Sequence, residues 1–183
     1  MNETPATTNE SSVTTQHRHA TRTASGEGTA YWFFGALAVI RSPEGAWPIV
    51  IEMAVPPGGH TPLHIHTNLD DSFYLLSGRM AIRSGDETFV AHAGDYVTQP
   101  AGVPQTFFAL DEKPAVLLQT HANEDFLNFI RQVGEPATNR IQPPDQPLDF
   151  DMLYKAAAEK GQPVIGPPMT EDEAAAIDSA AEK

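Results

Sequence analysis

Short apolar runs alternate with turn residues along the middle of the chain. The runs are rich in aromatic and β-branched residues and are too short for helices, which favours β-strands. Predicted strands cover residues 30–41 (one strand, or two broken near Gly35), 47–55, 64–66, 71–76, 79–83, 87–91, 96–99, 105–109 and 115–120. Turns such as Ser84-Gly85-Asp86 separate several of them. This pattern predicts an all-β fold, an antiparallel sandwich or a barrel such as the jelly roll.

The spacing of apolar residues becomes helical after the last predicted strand. Asn123 is a capping residue, an apolar stripe follows it, and Gly134 ends the stripe. Residues 150–160 repeat the helical spacing. Thr170 and Glu173 form a capping box that opens a third, alanine-rich helix. We therefore expect three helices that cover a barrel mouth or edge, or that contact a partner subunit.

The first 25 residues are mostly Thr, Ser, Asn and Glu. Such a segment buries too little apolar surface to offset its chain entropy, so we expect a disordered tail. His17 and His19 lie in it, and we interpret them as solvated. The predicted organisation is a tail over residues 1–25, a barrel over residues 26–122 and a helical extension over residues 123–183.

Composition narrows the possible partners. The 183 residues carry a net charge of −13, which argues against a nucleic-acid partner and an anionic membrane surface. Cysteine is absent, which excludes a disulfide framework and a cysteine-based metal site or nucleophile. The sequence shows neither an apolar segment of roughly 18 residues nor a secretory signal, so we expect a cytoplasmic location.

One segment carries a candidate metal site. In an extended strand His64 and His66 share a face, and a turn between two paired strands would bring Asp71 opposite them. Two histidines and one carboxylate match the facial set of non-haem iron oxygenases and also suit other divalent ions. The alternative interpretation is a surface pair of histidines in a turn, or histidines satisfied by hydrogen bonds.

The spacing around this segment resembles the first motif of the cupin superfamily. Five residues separate Gly58 from the pair His64 and His66, four residues separate His66 from Asp71, and six separate Asp71 from Gly78. Every interval fits that motif. The departure is Asp71, which stands where the family has Glu. Because Asp is one methylene shorter, it reaches less far toward a shared metal.

A second stretch resembles the second cupin motif. Five residues separate Gly94 from the pair Pro100 and Gly102, and two residues separate Gly102 from position 105. The intervals fit again, but Gln105 stands where the family has His. Its amide oxygen is a neutral donor, poorer than imidazole for iron, nickel, copper or zinc.

A narrower likeness links the chain to single-barrel cupins related to quercetin 2,3-dioxygenase. Residues 26–33, 126–136 and 166–168 carry it. The resemblance implies a cupin jelly-roll β-barrel with C-terminal helical additions. It also implies a divalent metal held by three histidines and a glutamate, and cleavage of flavonol-type substrates with dioxygen.

Carried onto this chain, the resemblance implies a metal-dependent dioxygenase acting on a small aromatic, flavonol- or polyketide-like substrate. The metal ligands would be His64, His66, Asp71 and Gln105, holding Fe, Ni, Mn, Cu or Zn. The catalytic residues would be His64, His66 and Asp71, with Asp71 as ligand or as base on a substrate hydroxyl. The alternative is a metal-free cupin that binds, isomerises or cyclises a small hydrophobic molecule.

Alternation along the strands predicts the residues that line the pocket. They are Met53, Phe73, Leu75, Gln105 and Phe107, with Tyr31 and Phe33 closing the mouth. Each apolar member taken singly is also typical of a plain core position. His121, directly after the last barrel strand, is the one histidine outside the motifs that we consider as a spare ligand. Edge-strand pairing predicts a homodimer.

Overall fold

The fold is built almost entirely from short antiparallel strands, as predicted. A computed structural model describes residues 19–144 and 149–181. Its strands are β1 (Thr29–Phe33), β2 (Ala36–Ile40), β3 (Ile49–Val55), β4 (Pro62–His64), β5 (Asp71–Ser77), β6 (Arg79–Ser84), β7 (Glu87–His92), β8 (Tyr96–Gln99), β9 (Gln105–Ala109), β10 (Ala115–His121), β11 (Glu135–Pro136) and β12 (Val164–Pro168). Its helices are α1 (Asp125–Val133), α2 (Phe150–Glu159) and α3 (Glu171–Ala181). Residues 1–18, including His17, lie outside the described residues, and His19 is exposed.

Two sheets enclose the core of a jelly roll. One has seven strands in the order β11-β1-β2-β3-β10-β5-β8, and the other has five in the order β12-β4-β9-β6-β7. The inward residues of β3 show why the strands bury one face: Ile49, Ile51, Met53 and Val55 are buried, and the residues between them are less so. They share one apolar cluster with residues of the other sheet, such as Met80 and Ile82. The two sheets therefore pack face to face around a common interior.

The strands of the candidate motif do not pair with each other, so that sequence expectation is wrong. β4 pairs with β9 and β12, whereas β5 pairs with β8 and β10 in the other sheet. The chain crosses between sheets after His66. Asp71 therefore faces the histidines across the barrel interior and not along a shared ladder.

A two-residue turn joins β1 to β2. Phe34 has φ 50° and Gly35 has φ 78°, as a type I′ hairpin turn requires. A bulky residue with positive φ is strained. The ring of Phe34 packs against the ring of Phe33 with their centroids 4.7 Å apart, and this contact helps to hold the strained residue in place.

The C-terminal part adds strands as well as the three predicted helices. β11 pairs with β1, and β12 pairs with β4, although the sequence pattern predicted only helices there. β12 contains Pro167 and Pro168, which lack an N–H and suit the edge position that β12 occupies. α1 buries Phe126, Phe129 and Ile130 against the barrel core. This part of the chain therefore completes the barrel and does not merely decorate it.

α3 covers the outer face of β6 and β7. Met169 and Ala174 bury Ala81 of β6. The predicted capping box is present: Glu173 Oε2 accepts a hydrogen bond from the Thr170 N–H at 2.8 Å, and Thr170 Oγ1 accepts one from the Glu173 N–H at 3.3 Å. An ion pair between Arg79 Nη1 and Asp178 Oδ1, 2.8 Å apart, fixes the far end of the helix.

Candidate functional site

A cavity lies where strands of both sheets meet α1 and α2. Its volume is about 80 Å³, and a single water needs roughly 10–15 Å³, so several waters or a small organic molecule fit. Its apolar lining includes Phe33, Phe34, Met53, Phe107, Leu117, Phe126 and Phe129. Its polar lining includes His64, His66, Asp71, Gln99, Gln105 and Gln119.

The aromatic lining is a packed cluster of rings from two distant parts of the chain. Phe33 contacts Phe126 and Phe129 edge to face, with ring centroids 5.7 and 5.1 Å apart. Phe34 lies 6.1 Å from Phe129 by the same measure. The β1–β2 turn and α1 thus fix each other, and they give the cavity a rigid apolar surface that excludes water.

The two histidines lie side by side at the end of β4. Their ring centroids are 5.2 Å apart. The Nδ1 of His64 lies 2.8 Å from the carbonyl oxygen of Pro62. Because a carbonyl can only accept, Nδ1 carries the hydrogen and Nε2 keeps its lone pair. The carbonyl of His66 accepts a hydrogen bond from the Gly102 N–H at 2.7 Å, which ties the two motif segments together.

Asp71 opens β5, and its side chain points into the protein. It is only 7% exposed, and its Oδ1 is left without a hydrogen-bond partner in the part of the chain that the structure describes. Burial raises the pKa of the Asp71 carboxyl, while the nearby histidines His121 and His64 act in the opposite direction. A buried carboxyl with a free oxygen is costly unless something binds it.

Gln105 occupies the place of the second-motif histidine, and it faces the same cavity. It lies on β9 directly opposite His64 and is 1% exposed. Neither its Nε2 nor its Oε1 has a hydrogen-bond partner within residues 19–144 and 149–181. The neutral amide therefore sits beside the histidines where the motif spacing places it.

Sequence reasoning missed two further glutamines. Gln99 is 2% exposed and pairs with Asp71 across β8 and β5. Gln119 is 7% exposed and pairs with Phe73 across β10 and β5. Strand alternation could have found them. Val97 lies two residues before Gln99 and Leu117 two residues before Gln119, and both are buried core residues, so the glutamines share their inward face. A polar residue on the inward face of an apolar strand marks a position that faces a cavity.

His121 lies next to the site, outside the lining of this cavity. It is 8% exposed, and its ring stacks on Phe126 with a centroid distance of 4.6 Å. Together with His66 it lines a smaller adjacent cavity. Its Nε2 has no hydrogen-bond partner among the described residues.

The predicted pocket residues divide into two groups. Those that line the cavity are Phe33, Met53, His64, His66, Asp71, Gln105 and Phe107. Phe73 and Leu75 share the inward face of β5 with Asp71, but they lie farther along the strand and fill the barrel core. Tyr31 borders a different cavity near Arg131. Phe73, Leu75 and Tyr31 are therefore placed outside the lining.

The histidines of the site are electrically neutral near pH 7. Burial lowers the pKa of His66 to about 4. Burial also lowers the pKa of His64, although its hydrogen bond to Pro62 acts in the opposite direction. Among the described residues that line the cavity, none is Lys or Arg. The site thus offers neutral imidazoles and amides around one carboxyl group.

Comparison with known families identifies the barrel. Residues 51–121 match the family described as the cupin domain. These residues form a cupin domain. The cupin segment runs from β3 to β10 and contains His64, His66, Asp71, Gln99, Gln105 and Gln119 of the cavity lining, whereas Gln162 lies outside it.

The chain is also similar to individual proteins, one by sequence and two by structure. Quercetin 2,3-dioxygenase from Bacillus subtilis (strain 168) is 24% identical over 139 residues, or 73% of this chain. The chain spans only 41% of the length of that relative. The solved structure of KdgF from Halomonas sp. has a TM-score of 0.50 and 15% identity, covering 60% of this chain and 99% of that one. The Cnp3 cupin domain of Schizosaccharomyces pombe has a TM-score of 0.44 and 18% identity, covering 51% and 64%.

The cupin resemblance implies a divalent metal, and the structure tests that expectation. His64, His66 and Asp71 supply donors of the right kind. However, the described residues contain no group of three or more His, Asp or Glu side chains arranged to hold a metal ion. Gln105 replaces the fourth donor with a neutral amide. As arranged here, the residues do not fit a metal site.

The helices give one further result. Among those within residues 19–144 and 149–181, none is long and apolar enough to cross a membrane.

Proposed function

We propose that this cupin is an enzyme that binds a small aromatic molecule in the cavity and takes a proton from its hydroxyl group onto Asp71. One observation carries the proposal: Asp71 Oδ1, fully buried, has no hydrogen-bond partner among the described residues and borders a cavity lined by phenylalanines. Rings that stack edge to face suit an aromatic ligand. A free carboxylate oxygen suits a hydroxyl donor.

The raised pKa of Asp71 supports its role as a base. A proton moves most readily between groups whose pKa values lie close together, and a phenolic hydroxyl has a pKa of about 10. Burial raises the pKa of the Asp71 carboxyl toward that value. The transfer breaks the ligand O–H bond, forms an O–H bond on Oδ1 and leaves a phenolate in the cavity.

Two reactions of that phenolate have support. Metal-dependent, quercetinase-like dioxygenation is supported by the similarity to quercetin 2,3-dioxygenase; His64, His66 and Asp71 are donors of the right kind, although their arrangement here does not fit a metal ion. Metal-free isomerisation or cyclisation is supported by Gln105 at the ligand position and by the absence of a three-donor group within the described residues. Both reactions need the proton transfer to Asp71.

Absorption spectroscopy tests the proton transfer directly. Quercetin is added at pH 6 to the wild-type protein and to Asp71→Asn, which keeps the shape but cannot accept the proton. We expect the bound quercetin to show the red-shifted phenolate spectrum only with the wild-type protein. The same shift with Asp71→Asn would overturn the proposal.

Elemental analysis separates the two reactions. Protein purified without a His tag or chelator is compared with His66→Ala and with His92→Ala, whose histidine side chain is 57% exposed. Near-stoichiometric metal that is lost only in His66→Ala, with oxygen uptake on quercetin, would establish the dioxygenase. Metal far below stoichiometry in all three proteins, not restored by added ions, would establish the metal-free reaction.

We also propose that the protein forms a homodimer through β8, an edge strand of the larger sheet. Tyr74 and Tyr96 are cross-strand partners on the outer face, 43% and 64% exposed, and Leu76 nearby is 45% exposed. Unpaired edges bind other chains readily. Light scattering should give twice the mass of one chain for the wild-type protein and the mass of one chain for Tyr96→Lys. A monomeric wild type would refute the proposal.

A further inference from the structure

Three buried glutamines share an unusual feature. Gln99, Gln105 and Gln119 are 2%, 1% and 7% exposed and line the same cavity. Gln99 Nε2, both amide atoms of Gln105 and Gln119 Oε1 are without hydrogen-bond partners in the described part of the chain. Buried polar atoms almost always have partners. Four such atoms face one cavity, so whatever occupies the cavity, water or a bound molecule, has to supply their hydrogen bonds.

The glutamines come from three strands and line the cavity that Asp71 also lines. Gln99 pairs with Asp71 across β8 and β5. Gln105 pairs with His64 across β9 and β4. Gln119 lies on β10 opposite Phe73, two residues along β5 from Asp71. A ligand that contacts Asp71 therefore lies within reach of amides from both sheets.

Gln105 defines what the ligand must offer. A glutamine amide carries two donor hydrogens on nitrogen and an acceptor oxygen. Because both atoms of Gln105 are unpartnered, the residue requires an acceptor and a donor whichever way its amide is turned. A carbonyl oxygen next to a hydroxyl group meets both requirements.

Charge excludes other ligand classes. A ligand that enters as an anion would add a second negative charge to that of the Asp71 carboxylate, with no Lys or Arg among the described residues that line the cavity, and an unpaired buried charge is very costly. A plain hydrocarbon would leave the amide atoms unpaired, which is also costly. The remaining class is an uncharged aromatic molecule with oxygen substituents.

We propose that Gln99, Gln105 and Gln119 select an uncharged aromatic substrate by hydrogen bonding to its hydroxyl and carbonyl oxygens. The proposal rests on the proposed function, since it describes the substrate of the same cavity. It adds specificity-determining residues and a substrate class. Sites built to bind a hydroxyl reject analogues that lack it, because the buried polar groups then stay unpaired.

Calorimetric titration with two probes tests this selection. Quercetin carries hydroxyls and a carbonyl, whereas flavone has the same ring frame without hydroxyls. The proteins are wild type, Gln105→Met and Gln119→Met, with Gln132→Met on the exposed face of α1 as the matched control. We expect the wild type and the control to bind quercetin about 100-fold or more tightly than flavone. Each cavity variant should lose about 10-fold or more of that ratio, with a smaller loss for flavone, which keeps the carbonyl but has no hydroxyl.

Thermal melting of the free proteins gives a second readout. Methionine keeps the length of glutamine and removes unpaired polar atoms, so Gln105→Met should melt at a higher temperature than the wild type. A cavity variant that gains stability and loses selectivity shows that its amide serves the ligand and not the fold.

Three outcomes would overturn the inference. They are a quercetin-to-flavone ratio that is the same in all four proteins, a wild type that binds neither probe at millimolar concentration, and a Gln105→Met variant that melts at a lower temperature and keeps its selectivity. The proposed function fails separately. If Asp71→Asn keeps the phenolate spectrum while the glutamine variants lose selectivity, the proton transfer is wrong and the substrate class stands.

Discussion

Replacing His66 with Gln should make the folded protein less sensitive to acid. His66 is 8% exposed, and burial lowers its pKa to about 4. The same side chain in an unfolded chain has a pKa of about 6.5. The unfolded chain therefore binds the proton more readily, and unfolding takes up a proton between these two pH values. The contribution of His66 to the free energy of unfolding therefore has its full value above pH 6.5 and falls as the pH drops toward 4.

The two pKa values set the size of the effect. A histidine that titrates at about 4 when folded and at about 6.5 when unfolded lowers the free energy of unfolding by about 2 kcal/mol between pH 7 and pH 5. His66→Gln removes this contribution and keeps a polar side chain of similar length. Burial also lowers the pKa values of His64 and His121, so the wild type loses more than His66 alone explains. The difference between the two proteins isolates His66.

Urea unfolding at pH 7 and pH 5, with a chelator present, measures the difference. His92→Gln is the matched control, because it removes an imidazole whose side chain is 57% exposed. We expect His92→Gln to lose as much stability as the wild type on acidification, and His66→Gln to lose about 2 kcal/mol less. Equal losses in all three proteins would show that the imidazole of His66 reaches water. The description of His64 and His66 as a buried, neutral pair would then be wrong.

Three further changes test the fold and the site. Gln105→His restores the histidine that the family has at this position of the cavity. Elemental analysis after incubation with nickel or iron should show more bound metal than in the wild type. An unchanged metal content would mean that the arrangement of the other donors excludes the ion. Ile51→Ala empties a fully buried position and should lower the urea-unfolding free energy by about 2–5 kcal/mol, while Val50→Ala, on the neighbouring half-buried position, should cost less. Thr170→Ala removes the cap of α3 and should cost about 1 kcal/mol, read from the same unfolding curves; no change would show that α3 is held by Met169 and the Arg79 ion pair alone.

The motif spacing predicted the fold well because several spaced residues have backbone roles that few residue types can fill. Gly78 has φ 85°, and a Cβ there would come within 2.9 Å of the Ala115 Cα. Gly94 has φ 101°. The positive φ angles depend on the local chain and are therefore readable in the sequence, whereas the close approach to Ala115 comes from a distant strand. The spacing also placed His64, Asp71 and Gln105 around one cavity for the same reason.

The parts that the sequence did not reveal depend on which strands become neighbours. β4 and β5 were expected to pair, but short strands separated by a crossing segment carry no signal that assigns them to a sheet. β12 escaped notice because Pro167 and Pro168 argue against a central strand, and only its edge position makes them acceptable. Gln99 and Gln119 look like ordinary polar residues until the barrel turns both of them inward.

The late strand and helices have a consequence for the order in which the site is made. The last barrel strand of the cupin segment ends at His121, yet five lining residues come later in the chain: Phe126, Phe129, Ala157, Gln162 and Val164. Domains form during synthesis from the N-terminal side. When residues up to His121 have left the ribosome, the cavity still lacks those five residues, and the Phe33 ring lacks Phe126 and Phe129. The lining is complete only after β12 has emerged and paired at the edge of the smaller sheet.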